Sequence, residues 1–439
     1  MQAQALPAHI TPTTAEFLVL SFEGPDRYAL AGGLGVRASQ LAEALAERGF
    51  HTRLVFIGDP ALPKEEERVR GRLRLVRWGQ WISTYHPQGV YAGEDAKVHD
   101  LNESLPEYVL HEVVQPAVQA GRIVAILAEE WHTAEALCNV SDLLHWYGLR
   151  HRAILFWNAN NIFSFEKINW GRLAYCSTLT TVSRYMKHYM WNMGLNPLTI
   201  PNGIPERLLD PIDLSMSHRV RALLPGGMVL FKIGRFDPDK RWHMAIEAAA
   251  RLKELGVRLI FPIRGGIEPH GADVLRHAYD RGLRVADVTA EGRSMDDCLT
   301  ALESAPPADI LNLKFFVPDD FVRALYHASD AVLANSGHEP FGLVGLEAMA
   351  AGGVVFTGSS GEDYATSSEN CIAIETDDPN EIVQNLLYLQ ANPELAAQMR
   401  ESARETARRF TWPRVLHNLV SKLEYAGRTQ GILGQENTP

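Results

Sequence analysis

Cysteine is scarce in this 439-residue chain: Cys138, Cys176, Cys298 and Cys371 are scattered and form no C-x-x-C pair. A zinc frame is improbable on that spacing, and buried free thiols in a reducing compartment are the economical reading. Long apolar runs are missing too, since no window approaches the ~20 uninterrupted apolar residues of a spanning helix. Residues 1–15 lack a basic segment followed by an apolar core, so no secretion signal is expected. These absences predict a cytoplasmic protein without a transmembrane segment, and leave a peripheral amphipathic membrane contact open. Positive charge is also short. Lys and Arg number 42 against 53 Asp and Glu, a net charge of -11, which argues against broad nucleic-acid or anionic-membrane binding. There is no H-E-x-x-H, no Walker A lysine, no G-x-S-x-G and no catalytic cysteine context, so metal-dependent hydrolysis, phosphate-loop ATPase activity and serine hydrolysis have little support. No solenoid repeat or low-complexity segment is present.

What the chain does have is an alternating pattern. Its 46% hydrophobic and 22% charged content is globular, and its length suits two α/β domains. Short apolar runs at 17–22, 52–57, 123–128 and 153–157 read as buried strands. Leu41, Ala42, Leu45 and Ala46 repeat at helical spacing, as do segments within 105–120 and 133–147. Such alternation indicates a mostly parallel sheet covered on both faces. After Pro201-Asn-Gly-Ile-Pro205 and a polar stretch to Ser217, the pattern starts again. Strands are expected at 228–233 and 257–262 with a helix at 242–254 between them, and strand-helix pairs at 331–351 and 353–390. Residues 1–205 and 206–410 are thus expected to be two doubly wound domains, with function at the carboxyl ends of the strands and in the cleft between the domains. Thr411-Trp-Pro-Arg begins a last helix whose Val415, Leu416, Leu419 and Leu423 share one stripe. The tail from Gly431 reads as loose.

Several loops carry polar groups suited to a ligand. Glu339 and Glu347 stand eight apart in Ala334-Asn-Ser-Gly-His-Glu-Pro-Phe-Gly-Leu-Val-Gly-Leu-Glu347, where an apolar strand meets a helix whose expected first turn is Phe341-Gly342-Leu343. Free N–H groups at a helix start favour phosphate or an electron-rich sugar. With helical spacing throughout, the two carboxylates would differ by only roughly 80° and could face one ligand. As ordinary helix glutamates they would merely suit the dipole.

In Ile233-Gly-Arg-Phe-Asp-Pro-Asp-Lys-Arg-Trp242, Arg235 and Lys240 follow a strand. A guanidinium fork and an ammonium point charge could together neutralise a leaving diphosphate. A surface pair answering Asp237 and Asp239 is the structural alternative. Gly33 and Gly35, in Ala31-Gly-Gly-Leu-Gly-Val-Arg37, would let amides approach a phosphate or a sugar. Gly33-x-Gly35-x-x-Ala38, with Asp59 after the next strand, also fits a dinucleotide fingerprint. However, residues 23–31 separate the strand from the first glycine, longer than a dinucleotide fold allows. His132 lies in Ala128-Glu-Glu-Trp-His-Thr-Ala134, between a strand and a helix, where a cap is the plain alternative. The Asn158-Ala-Asn-Asn161 amides could point into the same cleft or simply form a turn. Asn202-Gly203 is a turn signal. His270 is expected in an exposed loop.

The run around Glu339 and Glu347 resembles the E-x7-E segment of retaining glycosyltransferases of the GT-B fold, particularly the GT4 family with its glycogen and starch synthase relatives. G-R-x4-K at 234–240 is similar to that family's phosphate-binding pair, Trp131-His132-Thr133 to its D-W-H-T segment, and Pro201-Asn-Gly to its hinge. The resemblance spans 32–48, 129–134, 181–191, 201–204, 233–241, 315–352 and 411–425. It implies two Rossmann-like domains facing across a cleft, with residues 411–439 crossing back to the first. It also implies transfer of a hexose from a nucleotide-diphosphate sugar to a sugar, glycan or small-molecule acceptor, with retention and without metal or cofactor. By resemblance His132, Arg235, Lys240 and Glu339 are catalytic, and Gly33, Gly35, Phe341, Gly342, Leu343 and Glu347 join Arg235, Lys240 and Glu339 on the donor. Glu339 would lie by the donor sugar and Glu347 on the ribose, with the acceptor near Gly33, Gly35 and His132.

Departures from the pattern are Glu130 in place of the aspartate of D-W-H-T, Leu30 where glycogen and starch synthases have lysine, and an apparent insertion at 285–307 before a strand at Lys314. Three rivals stay open. A nucleotide-sugar epimerase would release nucleoside diphosphate without acceptor, an NAD-dependent oxidoreductase would bind nicotinamide, and a non-catalytic sensor would bind donor without turnover.

Overall fold

The computed structural model describes residues 6–224 and 227–434, which divide into two compact units, one of residues 6–203 with 412–434 and one of the described residues within 204–411.

The first unit is built on an eight-stranded sheet. Its strands are β1 (Ala15–Leu20), β2 (His51–Ile57), β3 (Glu65–Arg68), β4 (Leu73–Trp78), β5 (Ile123–Glu129), β6 (Ala153–Ala159), β7 (Thr178–Thr181) and β8 (Leu198–Thr199). They are ordered β3-β4-β2-β1-β5-β6-β7-β8, and every pairing is parallel except β3 with β4. β1, β5 and β6 are buried at every position, as expected where helices cover both faces. The β3–β4 hairpin escapes the apolar pattern because Glu65–Arg68 is wholly charged. It turns through Val69, Arg70 and Gly71, all at positive φ.

The helix Trp412–Thr429 packs on this first sheet. Trp412, Val415, Leu416, Leu419 and Leu423 join one core with Phe17, Leu41, Leu45 and Ile154. Trp412 Nε1 donates to Gln40 Oε1 at 3.0 Å, and Lys422 donates to the Thr199 carbonyl. Gly203 is where it is because a Cβ there would lie 2.5 Å from the Trp412 ring.

The second unit has a seven-stranded, all-parallel sheet. It contains β9 (Met228–Ile233), β10 (Leu259–Arg264), β11 (Val285–Val288), β12 (Ile310–Leu313), β13 (Ala331–Ala334), β14 (Val355–Thr357) and β15 (Ile372–Ala373), ordered β11-β12-β10-β9-β13-β14-β15. The helix Trp242–Glu254 connects β9 to β10 and buries Trp242, Ala245, Ile246, Ala249 and Leu252.

Three expectations are corrected here. Residues 285–307 are no irregular insertion: β11 and the helix Met295–Glu303 extend the sheet regularly, and the next strand is Ile310–Leu313 rather than one at Lys314. Half-exposed Val-Ala-Asp-Val hides the strand from a search for apolar runs. His270 opens the helix His270–Asp280 and is partly buried, not an exposed loop residue. Finally, the helix after β13 begins at Leu343. Phe341 lies outside it and Gly342 is its N-cap at φ 79, so the helical rotation assumed between Glu339 and Glu347 does not apply.

Both sheets reverse their winding at one place. β1 sits between β2 and β5, and β9 sits between β10 and β13. At such a switch point the chain leaves the two central strands toward opposite faces of the sheet, and the loops at their carboxyl ends are where open α/β sheets bind ligands.

Candidate active site

In the second unit the loops after β9 and β13 meet at this switch point. Gly234 turns the chain away from β9 at φ 155, and Trp242 Nε1 donates to the Arg235 carbonyl at 2.7 Å, fixing its backbone. The Arg235 side chain is exposed and has no ion-pair partner among the described residues. Asp237 does not answer it: that carboxylate caps the short turn Pro238–Lys240 through the Asp239 N–H. The Gly337 N–H donates to the Asp239 carbonyl at 2.7 Å, tying the two loops together. Across them Lys240 Nζ donates to Glu339 Oε2, both side chains keeping partial exposure. Two of the expected residues are therefore brought into direct contact.

Beneath this pair lies a residue whose role the loop motifs do not announce. Lys232, inside β9, is buried, and its Nζ donates to the Leu333 carbonyl at 3.0 Å and to Asn335 Oδ1 at 2.7 Å. The ammonium also sits 5.1 Å from the Trp242 ring centroid. Burial pushes it well below the usual lysine range, Lys240 and Arg241 adding to that and Glu339 opposing it. A lysine within the apolar run Met228–Ile233 is the signal that could have marked it.

Phe341 is buried, with its ring 5.7 Å from Tyr364 and 6.0 Å from Phe410, so only its backbone is left for a ligand. The helix Leu343–Ala350 has no side-chain cap, which leaves its first amides for an anion. Glu347 stands on that helix, partly exposed, and its carboxylate accepts no hydrogen bond among the described residues. Burial pushes it up to about 7, with Asp319 adding and Arg207 opposing. Because it keeps some solvent access, it holds less of such a shift than a wholly buried carboxyl would.

In the first unit the expected residues follow β1 and β5. Gly33 and Gly35 form the first turn of the helix Gly33–Glu47 rather than a loop before it. Glu23 already occupies part of the amide cradle: its Oε2 accepts from the Gly32 and Gly35 N–H groups at 2.8 and 3.1 Å. Gly33 faces open space, with no atom within 4 Å of where a Cβ would stand. The Tyr91 hydroxyl donates to Glu23 Oε1 at 2.5 Å, and its ring lies 6.0 Å from that of His132, so the glycine turn and His132 are joined through Glu23 and Tyr91. Burial, then Glu23, holds the Tyr91 phenol above its ordinary range.

His132 is buried in the turn Trp131–Thr133. Its ring stacks on Phe22 at 4.1 Å and on Trp131 at 4.0 Å, and Nε2 lies 2.9 Å from Glu94 Oε1. Burial lowers its pKa to about 4 despite Glu94. The ring is then neutral near pH 7, with Nε2–H donating to the carboxylate. Nδ1, buried and without a partner, is left as an acceptor.

Glu130, at φ 67, accepts from the Asn160 and Asn161 N–H groups at 2.5 and 3.0 Å. Burial raises it to about 8, and Glu129 adds to this. Glu129 in turn accepts from Arg37 Nε at 3.1 Å, Asn158 Nδ2 at 2.8 Å and Asn160 Nδ2 at 2.7 Å. Arg37 also donates to Asn202 Oδ1. The asparagine cluster and Asn202 are thus members of one buried network. Among the described residues no helix is long and apolar enough to cross a membrane, and no cluster of three or more His, Cys, Asp or Glu is arranged to hold a metal ion.

Two Rossmann-like sheets and a returning C-terminal helix are the architecture of the GT-B fold. Residues 218–406 match the family described as glycosyl transferases group 1. The chain is similar in sequence to these group 1, or GT4, glycosyltransferases. It is 25% identical over 433 residues to the D-inositol 3-phosphate glycosyltransferase of Geodermatophilus obscurus, covering 93% of this chain and 88% of that one. Other curated relatives of the same name match over about half of their length. Among solved structures, the catalytic domain of starch synthase IV from Arabidopsis thaliana, bound to ADP and acarbose, has a TM-score of 0.66 at 14% identity, covering 95% of this chain and 99% of that one. HepE of Anabaena in complex with UDP has a TM-score of 0.61 at 16% identity, covering 93% and 100%.

Proposed function

We propose that this enzyme transfers a hexose from a nucleotide-diphosphate sugar to a sugar, glycan or small-molecule acceptor, with retention at the anomeric carbon and without a metal. The observation that carries the reading is the Lys240–Glu339 pair, set beside exposed Arg235 and ahead of an uncapped helix start. Supporting it, HepE was crystallised with UDP and starch synthase IV with ADP.

Breaking the glycosidic bond to a diphosphate builds positive charge on the sugar and negative charge on the leaving oxygen. Preorganised cations and dipoles are the efficient answer to the second. Arg235, Lys240 and the amides from Leu343 onward would receive that charge. Lys240 would exchange Glu339 for phosphate as the donor enters, which frees the Glu339 carboxylate to accept hydrogen bonds from the sugar's hydroxyls. Glu347 would accept from the ribose. In the first unit, the unpaired Nδ1 of His132 and the open face of Gly33 are assigned to the sugar and acceptor.

Thermal stabilisation by UDP-, ADP- and GDP-sugars, followed by product analysis with candidate acceptors, tests this reading. Transfer with the donor's anomeric configuration retained is expected. Nicotinamide binding without nucleotide-sugar binding would contradict it, as would donor turnover that needs no acceptor.

A further inference from the structure

After β14 the chain runs through Thr357-Gly-Ser-Ser-Gly-Glu-Asp-Tyr364, and this segment lies flush against the backbone that carries Glu339. A Cβ on Gly361 would collide with the carbonyl oxygens of both Glu339 and Pro340, and one on Gly358 would collide with that of Ser336. Ser360 grips Glu339 from both sides: its Oγ accepts the Glu339 N–H at 2.8 Å and lies 3.2 Å from the Glu339 carbonyl. The Gly361 N–H donates to that same carbonyl at 2.9 Å.

Glu362 holds this brace. Its Oε2 accepts the Ser360 N–H at 3.0 Å and lies 3.4 Å from Ser360 Oγ. Its side chain also fills the space left by Gly342, where a Cβ would meet Glu362 Cγ at 2.8 Å. The side chain therefore touches the brace on Glu339 through its carboxyl and the glycine that starts the helix of Glu347 through its Cγ. Although only 6% of the residue is exposed, Oε1 has no hydrogen-bond partner. A buried acid that is half satisfied costs stability, and so calls for an account beyond packing.

We propose that Glu362 is a positioning residue of the donor site, setting the Glu339 backbone through Ser360 and the helix start through Gly342. This rests on the donor-site reading above. The charged and titratable groups around it are Glu339 with its partner Lys240, Tyr364 and Cys371. Burial pushes Glu362 up to about 7, and Glu339 adds to this. Its ionisation would set a second negative charge beside Glu339, in a site for an anionic diphosphate. Donor affinity should then fall as pH rises through about 7.

The test is steady-state kinetics with the best nucleotide sugar from pH 6 to 8.5 for wild type, Glu362→Gln and Glu362→Ala. The Ala variant loses the brace and should raise donor KM up to about tenfold, as for one buried hydrogen bond, with a smaller change in kcat. The Gln variant keeps an acceptor for the Ser360 N–H but cannot ionise, so its KM at low pH should match wild type and should not rise near neutrality. Wild-type KM and wild-type pH dependence in both variants would overturn the proposal. So would equal losses of kcat and thermal stability in both, with the pH limb retained. A wild-type enzyme that binds no nucleotide sugar would overturn the donor-site reading and this inference together.

Discussion

Lys240 and Glu339 pair across the loops that follow β9 and β13, so the cation proposed for phosphate is held by the carboxylate proposed for sugar. On that proposal each would mask the other until a donor with both groups arrives. Partial exposure keeps the pair weak enough to exchange, since such ion pairs are worth ~0–1 kcal/mol.

Breaking the pair from either side should have opposite effects on nucleotide binding. Glu339→Gln releases Lys240, so nucleoside diphosphate without sugar should bind a few-fold more tightly while transfer slows. Lys240→Ala and Arg235→Ala should each slow transfer by more than about tenfold with the fold intact. Calorimetry and initial rates on the three variants check this, and parallel loss of nucleotide affinity in all three would contradict it.

Glu130 makes stability depend on pH. Its folded pKa of about 8 lies above the ordinary 4.5, so at low pH both states are protonated and it contributes nothing. Between those values the unfolded chain has released the proton while the folded chain keeps it, and stability falls as pH rises, levelling off above about 8. Glu130→Gln keeps an acceptor for the Asn160 and Asn161 amides and should be the more stable protein at pH 8. Urea unfolding at pH 5 and pH 8 measures the difference, which should vanish toward low pH.

His132 should not act as an ordinary imidazole. With a pKa near 4 it stays neutral throughout the working range, so an NMR titration should show no change of its ring between pH 5 and 8. A transition near 6.5 would mean that Glu94 fully offsets burial, and would contradict this.

The returning helix can be tested at Gly203. A methyl group there meets the Trp412 ring, so Gly203→Ala should cost ~1–3 kcal/mol, as overpacking does. In a Trp412→Ala background the same change should cost much less. Equal costs in both backgrounds would show that the contact does not matter.

How far the sequence could be read depended on whether a feature was local. β9, β13 and the helix Trp242–Glu254 stand where apolar runs and helical spacing put them, because burial on both faces writes itself into the chain. The charged β3 and half-exposed β11 lie at sheet edges, where burial imposes no such pattern. The loop motifs likewise gave Arg235, Lys240 and Glu339 as neighbours in function, but their actual arrangement is a matter of tertiary contact. That Glu23 covers the Gly35 amide, that Phe341 turns inward and that Glu362 supports Glu339 through Ser360 all depend on segments brought together by folding. Only Lys232, a charge inside an apolar strand, left a local trace.

On the proposed function, the second unit binds a nucleotide sugar through Arg235, Lys240 and Glu339. Calorimetric titration of UDP-, ADP- and GDP-sugars into wild type and an Arg235→Ala/Lys240→Ala variant of unchanged thermal stability tests it most directly. At least one donor is expected to bind the wild type, and the variant should lose that binding by about a hundredfold or more, two charge-assisted contacts being removed. Undiminished binding in the variant would contradict it.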